Sequence, residues 1–185
     1  MRVIAGTAKG RQLKAPKTDL RPLSDRAKEA LFNILAPRIE GEAFLDLFAG
    51  SGSVGIEALS RGASLSFFVE INRPSVEVIR ENLEKCKLYD RAEIYCLPVI
   101  RALKIFSEKE AKFDIIFLGA PYGSPFLKEA MNFLADGKLL KENGIVIAEH
   151  RSKQDPGETF GVLKRYRIAK YGEVTFSFYA SPTIC

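Results

Sequence analysis

The sequence predicts an α/β protein built on a mostly parallel sheet with helices on both faces. Three observations lead there. From residue 43 to residue 150, short apolar runs of strand type alternate with stretches whose apolar residues recur at helical spacing. A glycine-rich turn, with Gly50, Gly52 and Gly55, joins the first of those runs to the first of those helices. After the last of them, the tail supplies two strand-type segments with no helix between, which predicts an antiparallel hairpin at the sheet edge. A chain of 185 residues suits one domain.

The elements follow in order. Residues 2–14 read as two short strands about Thr7-Ala8-Lys9-Gly10, and 15–24 as a Pro-containing basic linker. Ser24 is the N-cap candidate of a helix through residue 35, with Ala27, Ala30, Leu31, Ile34 and Leu35 at helical spacing and Pro37 past its end. Strands are expected at 43–48, 64–71, 92–97, 113–120 and 144–150. The helices between them are 52–62, closed by Gly62, then 74–88, opened by Pro74, then 99–106 and 124–137. The tail strands are 166–172 and 174–181, which makes seven strands in the sheet besides the N-terminal pair.

Composition narrows the class. With 46% hydrophobic and 28% charged residues, the chain is an ordinary soluble globular one with a real core. No apolar run approaches the roughly 20 residues that cross a membrane. MRVIAGTAKGRQLKAPK lacks the apolar stretch of an export signal, so a cytoplasmic protein without membrane attachment is expected. Cys86, Cys96 and Cys185 have no metal-type spacing and read as reduced, packed thiols, and no metal site is visible. The net charge of +5 is local: residues 1–40 hold nine Lys and Arg against four acids, and the remainder holds 19 of each. A basic surface beside a neutral body suits a polyanion such as RNA or DNA; a merely solvated face explains the charge equally well.

Two loops carry chemistry. Gly50, Gly52 and Gly55 match G-x-G-x-x-G at a strand-to-helix turn, where backbone can approach a ligand closely. The next strand ends in Glu70, an acid able to take both hydroxyls of a ribose. Asp46 lies four residues ahead of Gly50. A carboxylate there repels a pyrophosphate and favours a cation such as the ammonium and sulfonium of S-adenosylmethionine. Its other reading is a cap for local amides. A nicotinamide dehydrogenase is disfavoured by the same residue. The second loop is Gly119-Ala120-Pro121-Tyr122, which breaks the strand over 113–120.

These stretches resemble known ones. DLFAGSG, residues 46–52, resembles the cofactor loop of class I methyltransferases, and FAGSG is typical of those acting on nucleic acid. The second loop resembles the Asp/Asn-Pro-Pro-Tyr/Phe loop of enzymes that methylate exocyclic amines. Such an amine is a poor nucleophile because its lone pair is delocalised into the ring. Oxygens that accept its N–H bonds localise the pair toward the methyl donor, and the aromatic ring holds the base flat. Here Pro121 and Tyr122 are kept, and Gly119 and Ala120 replace Asp/Asn-Pro.

AGTAKGRQL (5–13), RPLSDRAKEALFNIL (21–35) and FLDLFAGSGSVGIEALSRGA (44–63) closely resemble the RsmD-type family of bacterial 16S rRNA (guanine-N2) methyltransferases. The resemblance implies a class I S-adenosylmethionine-dependent, Rossmann-like fold with a seven-stranded sheet and an N-terminal β-hairpin extension. Residues 1–40 would be the RNA-contacting extension and 41–185 the methyltransferase domain. It implies catalytic residues Gly119, Ala120, Pro121 and Tyr122, and cofactor contacts from Asp46, Phe48, Gly50, Ser51, Gly52, Glu70, Ile71 and Pro98. Phe32 and Asn33 would face the cofactor pocket; plain core packing is the other reading of Phe32, as it is of Ile71. Lys9, Arg11, Arg21 and Arg26 would meet 16S rRNA or the assembling small subunit, with the protein a monomer. Where the family's third strand ends in an acid or Asn toward the adenine, this chain has Leu97-Pro98. Both departures keep a second function open: a catalytically weakened or inactive rRNA-binding member. His150 reads as a strand-end residue rather than a general base, and Glu149 beside it is left open.

Overall fold

The computed structural model describes residues 1–18 and 22–182. Arg21 and Cys185 lie outside them. Helix α1 (Asp25–Leu35) starts where the Ser24 side chain accepts from the Ala27 amide at 3.2 Å, the expected N-cap. Strand β1 (Ala43–Leu47), helix α2 (Ser53–Ser60), strand β2 (Leu65–Val69) and helix α3 (Arg73–Cys86) follow. Then come β3 (Ala92–Tyr95), α4 (Val99–Glu108), β4 (Phe113–Leu118), α5 (Phe126–Leu134) and β5 (Leu140–Arg151). The tail forms β6 (Thr159–Phe160), β7 (Leu163–Tyr171) and β8 (Val174–Ala180).

Among the described residues the sheet has eight strands, in the order β3-β2-β1-β4-β5-β8-β7-β6. The α/β class is as expected, with one strand more than the sequence suggests. The extra one, β6, is two residues long, too short to leave a periodic trace. Strands β1 to β5 are parallel; β8 returns antiparallel on β5, so the tail hairpin carries β7 and β6 outward as the edge.

Alternation along each strand divides the core in two. Phe44, Phe68, Ile115, Phe117 and Ile147 pack under α1, α2 and α3. Leu45, Leu47, Ile116, Leu118 and Val146 pack under α4 and α5 on the other face. Strand order reverses between β1 and β4, and the two glycine-containing loops leave the carboxyl ends of those two strands. In open α/β sheets that crevice is where ligands bind.

The N-terminal hairpin is smaller than expected: one antiparallel bridge, Arg2 to Gln12, with backbone bonds from Val3 to Arg11 and from Gly10 to Val3. It is clamped to the body. The Ser60 carbonyl accepts from Thr7 N at 2.8 Å, and the Ser60 hydroxyl accepts from Ala8 N and donates to the Ala5 carbonyl. Gly6 makes this approach possible. Its φ is +86°, and a Cβ there would lie 1.8 Å from the Ser60 carbonyl oxygen. Gly6→Ala will therefore loosen the hairpin, costing about 2–3 kcal/mol. Amide hydrogen exchange over residues 3–13 will rise well above that of the sheet in the same sample.

Candidate active site

The β1 loop is bent by left-handed residues. Phe48 has φ +62° without being glycine, and Gly50 and Gly52 have +59° and +77°. A Cβ on Gly50 would meet nothing within 4 Å, so its open backbone faces the crevice. Gly52 is the N-cap of α2 and packs against Ile79. Gly55 serves packing instead: a Cβ there would stand 2.4 Å from the Phe68 ring. The Ser51 hydroxyl is engaged by the Ser53 amide and the Met1 sulfur, so its side chain is turned inward. The ring of Phe48 stacks on Phe126, at the start of α5, with centroids 6.4 Å apart.

Acids surround this loop. Asp46 is 1% exposed and accepts from the Gly55 amide at 2.9 Å. It is therefore an amide cap as well as a charge beside the loop. Burial pushes its carboxyl well above the usual carboxylate range, the Gly55 bond offsets part of this, and the nearby Glu70 and Glu149 push it further up. Glu70, just past β2, uses one oxygen for the Gly50 amide and the other for the Asn72 amide, both at 2.8 Å. It thereby fixes the glycine loop to the start of α3. Ile71 is 66% exposed, which removes the core-packing reading and leaves an apolar surface beside Glu70. Pro98 is exposed and begins α4.

The β4 loop closes the other side. The Gly119 amide donates to the Leu47 carbonyl at 3.2 Å, tying the two loops together. Ala120 is buried, and Tyr122 is 38% exposed. The Tyr122 hydroxyl donates to Glu149 Oε1, and the Arg151 guanidinium sits 5.3 Å from the ring centroid. One ring face is thus taken by Arg151. Burial, then the Glu149 charge, pushes the Tyr122 hydroxyl far up, so it stays protonated at any working pH. Ala120, Tyr122, Ser124, Leu127, Glu149 and Gln154 are among the walls of a cavity of about 180 Å³.

Some expectations move. Phe32 is fully buried, stacked on Phe44, so its core reading holds and it does not face the crevice; Asn33 is exposed on α1. The His150 ring bonds the Arg151 carbonyl at 2.9 Å and the Ser177 hydroxyl at 2.8 Å, and burial lowers its pKa. Both nitrogens are committed, so it is no free base. Lys9, Arg11 and Arg26 are exposed and form no salt bridge among the described residues. Lys28, also counted in the basic segment, is sealed against Glu57 instead. Glu149 and Arg151 are the residues sequence reasoning did not place. The parallel register that sets Leu118 against Ala148 puts Glu149 opposite Gly119, a signal that exists once the order of strand ends is known.

The sheet order, the acid-flanked glycine loop and the Pro-Tyr loop define the class I methyltransferase fold. Within it, the chain belongs to the family described as Conserved hypothetical protein 95, matched over residues 1–180, that of ribosomal RNA small subunit methyltransferase D. The Escherichia coli K12 protein of that name is 34% identical over 180 residues, covering 97% of this chain and 89% of that one. A Bacillus subtilis protein named as a candidate rRNA methyltransferase, YlbH, is 39% identical, covering 97% and 98%. An Escherichia coli structure described as a candidate methyltransferase, yhhF, superposes with a TM-score of 0.84 at 30% identity, covering 97% and 96%.

Proposed function

We propose that the protein transfers a methyl group from S-adenosylmethionine to the exocyclic 2-amino group of a guanine in small-subunit rRNA. The observation that carries this is the meeting of the two loops at the β1/β4 reversal. One is open glycine backbone ringed by Asp46, Glu70 and Glu149; the other presents Pro121 and Tyr122 beside a cavity. The residues present fit the cofactor. The charges acting on buried Asp46 are carboxylates that raise it further, a site short of positive charge. A bound cation relieves that repulsion and a pyrophosphate aggravates it. Glu70 would take the ribose hydroxyls with the lone pairs that its bonds to the Gly50 and Asn72 amides leave free, and exposed Ile71 would pack its apolar face on the adenine.

Bound there, S-adenosylmethionine supplies an electrophilic methyl group. Tyr122 stacks the flipped guanine on the face Arg151 leaves free, and the Gly119 and Ala120 carbonyls accept from its amino group. Those carbonyls would turn the amino lone pair toward that methyl group, so that a transfer would leave the pair of the broken carbon–sulfur bond on sulfur. The proton released from nitrogen leaves to water. Lys9, Arg11, Arg21 and Arg26 hold the phosphate backbone, which makes binding weaken steeply with salt. Residues 1–40 act as the RNA-contacting extension of the methyltransferase domain, in a cytoplasmic monomer.

Gly119 and Ala120 favour the second reading, a catalytically weakened or inactive rRNA-binding member of the same family. Labelled methyl incorporation into unmodified small-subunit RNA and particles, followed by mass analysis of nucleosides, separates the two. N2-methylguanosine is expected. Cofactor binding without incorporation over hours leaves the binding role.

A further inference from the structure

The loop over residues 119–122 lacks a side-chain acceptor, and Gly119 is not replaced in kind by its neighbours. The space such a side chain would enter is bounded by the Phe117 ring of the same strand and reached from β5 by Glu149. A Cβ on Gly119 would lie 3.2 Å from the Phe117 ring and 3.5 Å from Glu149 Oε2. Gly119 has no left-handed backbone, so nothing but its surroundings decides what stands there. Asp46, Gly119 and Glu149 also share one sheet face, that of Phe44, Phe117 and Ile147.

We infer that Glu149, at the carboxyl end of β5, supplies the acceptor oxygen that position 119 lacks. The inference rests on the methyl-transfer reading above and names a further residue of that site. Its two oxygens divide the work. Oε1 takes the Tyr122 hydroxyl, which fixes the stacking ring and the carboxylate together. Oε2 points toward the position-119 space and takes an N–H of the guanine 2-amino group. The carboxylate thereby localises the nitrogen lone pair as an Asp or Asn of the loop would, and Pro121, which has no N–H to compete, leaves the loop carbonyls for the same amine. Burial raises the Glu149 carboxyl, and the Tyr122 bond offsets part of this. A cationic ligand beside it favours the charged form in which both oxygens accept.

The test is steady-state methyl transfer to small-subunit RNA by the full chain and six variants. Glu149→Ala lowers kcat about 10²–10³-fold, the usual loss for one preorganised polar group, well beyond the rise in the KM for S-adenosylmethionine that losing one acid near the loop brings. Glu149→Gln, isosteric and still an acceptor, retains more activity than Glu149→Ala and guards against a folding defect. Gly119→Asp alone gains nothing, since two carboxylates then crowd one space. In the Glu149→Ala background Gly119→Asp restores at least about ten-fold, which mere structural repair does not predict.

Tyr122→Phe separates the alternatives, because it removes the hydroxyl bond while keeping the ring. A loss well below that of Glu149→Ala is expected. Equal losses for Tyr122→Phe and Glu149→Ala, with the double variant no worse, would reduce Glu149 to an anchor for Tyr122 and overturn the inference. So would a folded Glu149→Ala within three-fold of the original rate. Failure of the unaltered protein to methylate guanine is a different result: it overturns the functional reading itself, and the role of Glu149 with it.

Discussion

Glu57→Ala will lower the melting temperature by about 10 °C and free the N-terminal hairpin. Glu57 lies on α2, and its side chain is fully buried. It accepts from Ile4 N at 2.9 Å, from Ala5 N at 3.2 Å and from Arg61 Nε at 2.9 Å. The fully buried Lys28 ammonium stands 3.7 Å away and donates to the Arg2 carbonyl. Burial lowers the Lys28 pKa, and the Glu57 charge is the largest influence opposing that. Removing the carboxylate strands a buried cation and two amides, a cost of about 3–5 kcal/mol. At this chain length one kcal/mol moves the midpoint by about 2–4 °C. Lys28→Met added to Glu57→Leu will recover much of the loss, because the stranded charge goes with its partner. A double variant as unstable as Glu57→Ala would show that the hairpin amides, not the ion pair, dominate.

Asp46→Asn has the other large effect, and it runs in opposite directions for stability and binding. The asparagine oxygen can still take the Gly55 amide, while the buried charge is gone. The melting temperature of the ligand-free protein will not fall. Affinity for S-adenosylmethionine will drop about ten- to hundred-fold, the 1.5–3 kcal/mol of a charged hydrogen bond. The pH dependence follows from the raised carboxyl. A folded pKa above the unfolded value means that stability from this group is full below the unfolded pKa. It is lost as pH rises through the folded one. Cofactor affinity runs the opposite way, tightening across that window as the carboxylate forms, and Asp46→Asn will flatten this rise. Calorimetry from pH 5 to pH 9 checks both signs.

Much of this was legible locally. The buried strands, the N-cap Ser24, the glycine turn and Glu70 each announce themselves within a few residues, because period and turn chemistry are local properties. What was not legible depends on which strand ends become neighbours. Gly119 and Glu149 are 30 positions apart, and only the β4/β5 register makes them one site. Phe32 has the spacing of a core residue and of a pocket residue alike, and tertiary packing on Phe44 decides between them. Lys28 reads as one more basic charge until Glu57 closes over it. The two-residue β6 carries no pattern at all.

Titration of the folded protein with S-adenosylmethionine, and separately with a nicotinamide dinucleotide, tests the central claim most directly. The acids about the β1 loop predict one-to-one binding of the sulfonium cofactor and none of the pyrophosphate-bearing one. Uptake of the dinucleotide, with S-adenosylmethionine ignored, would contradict the account.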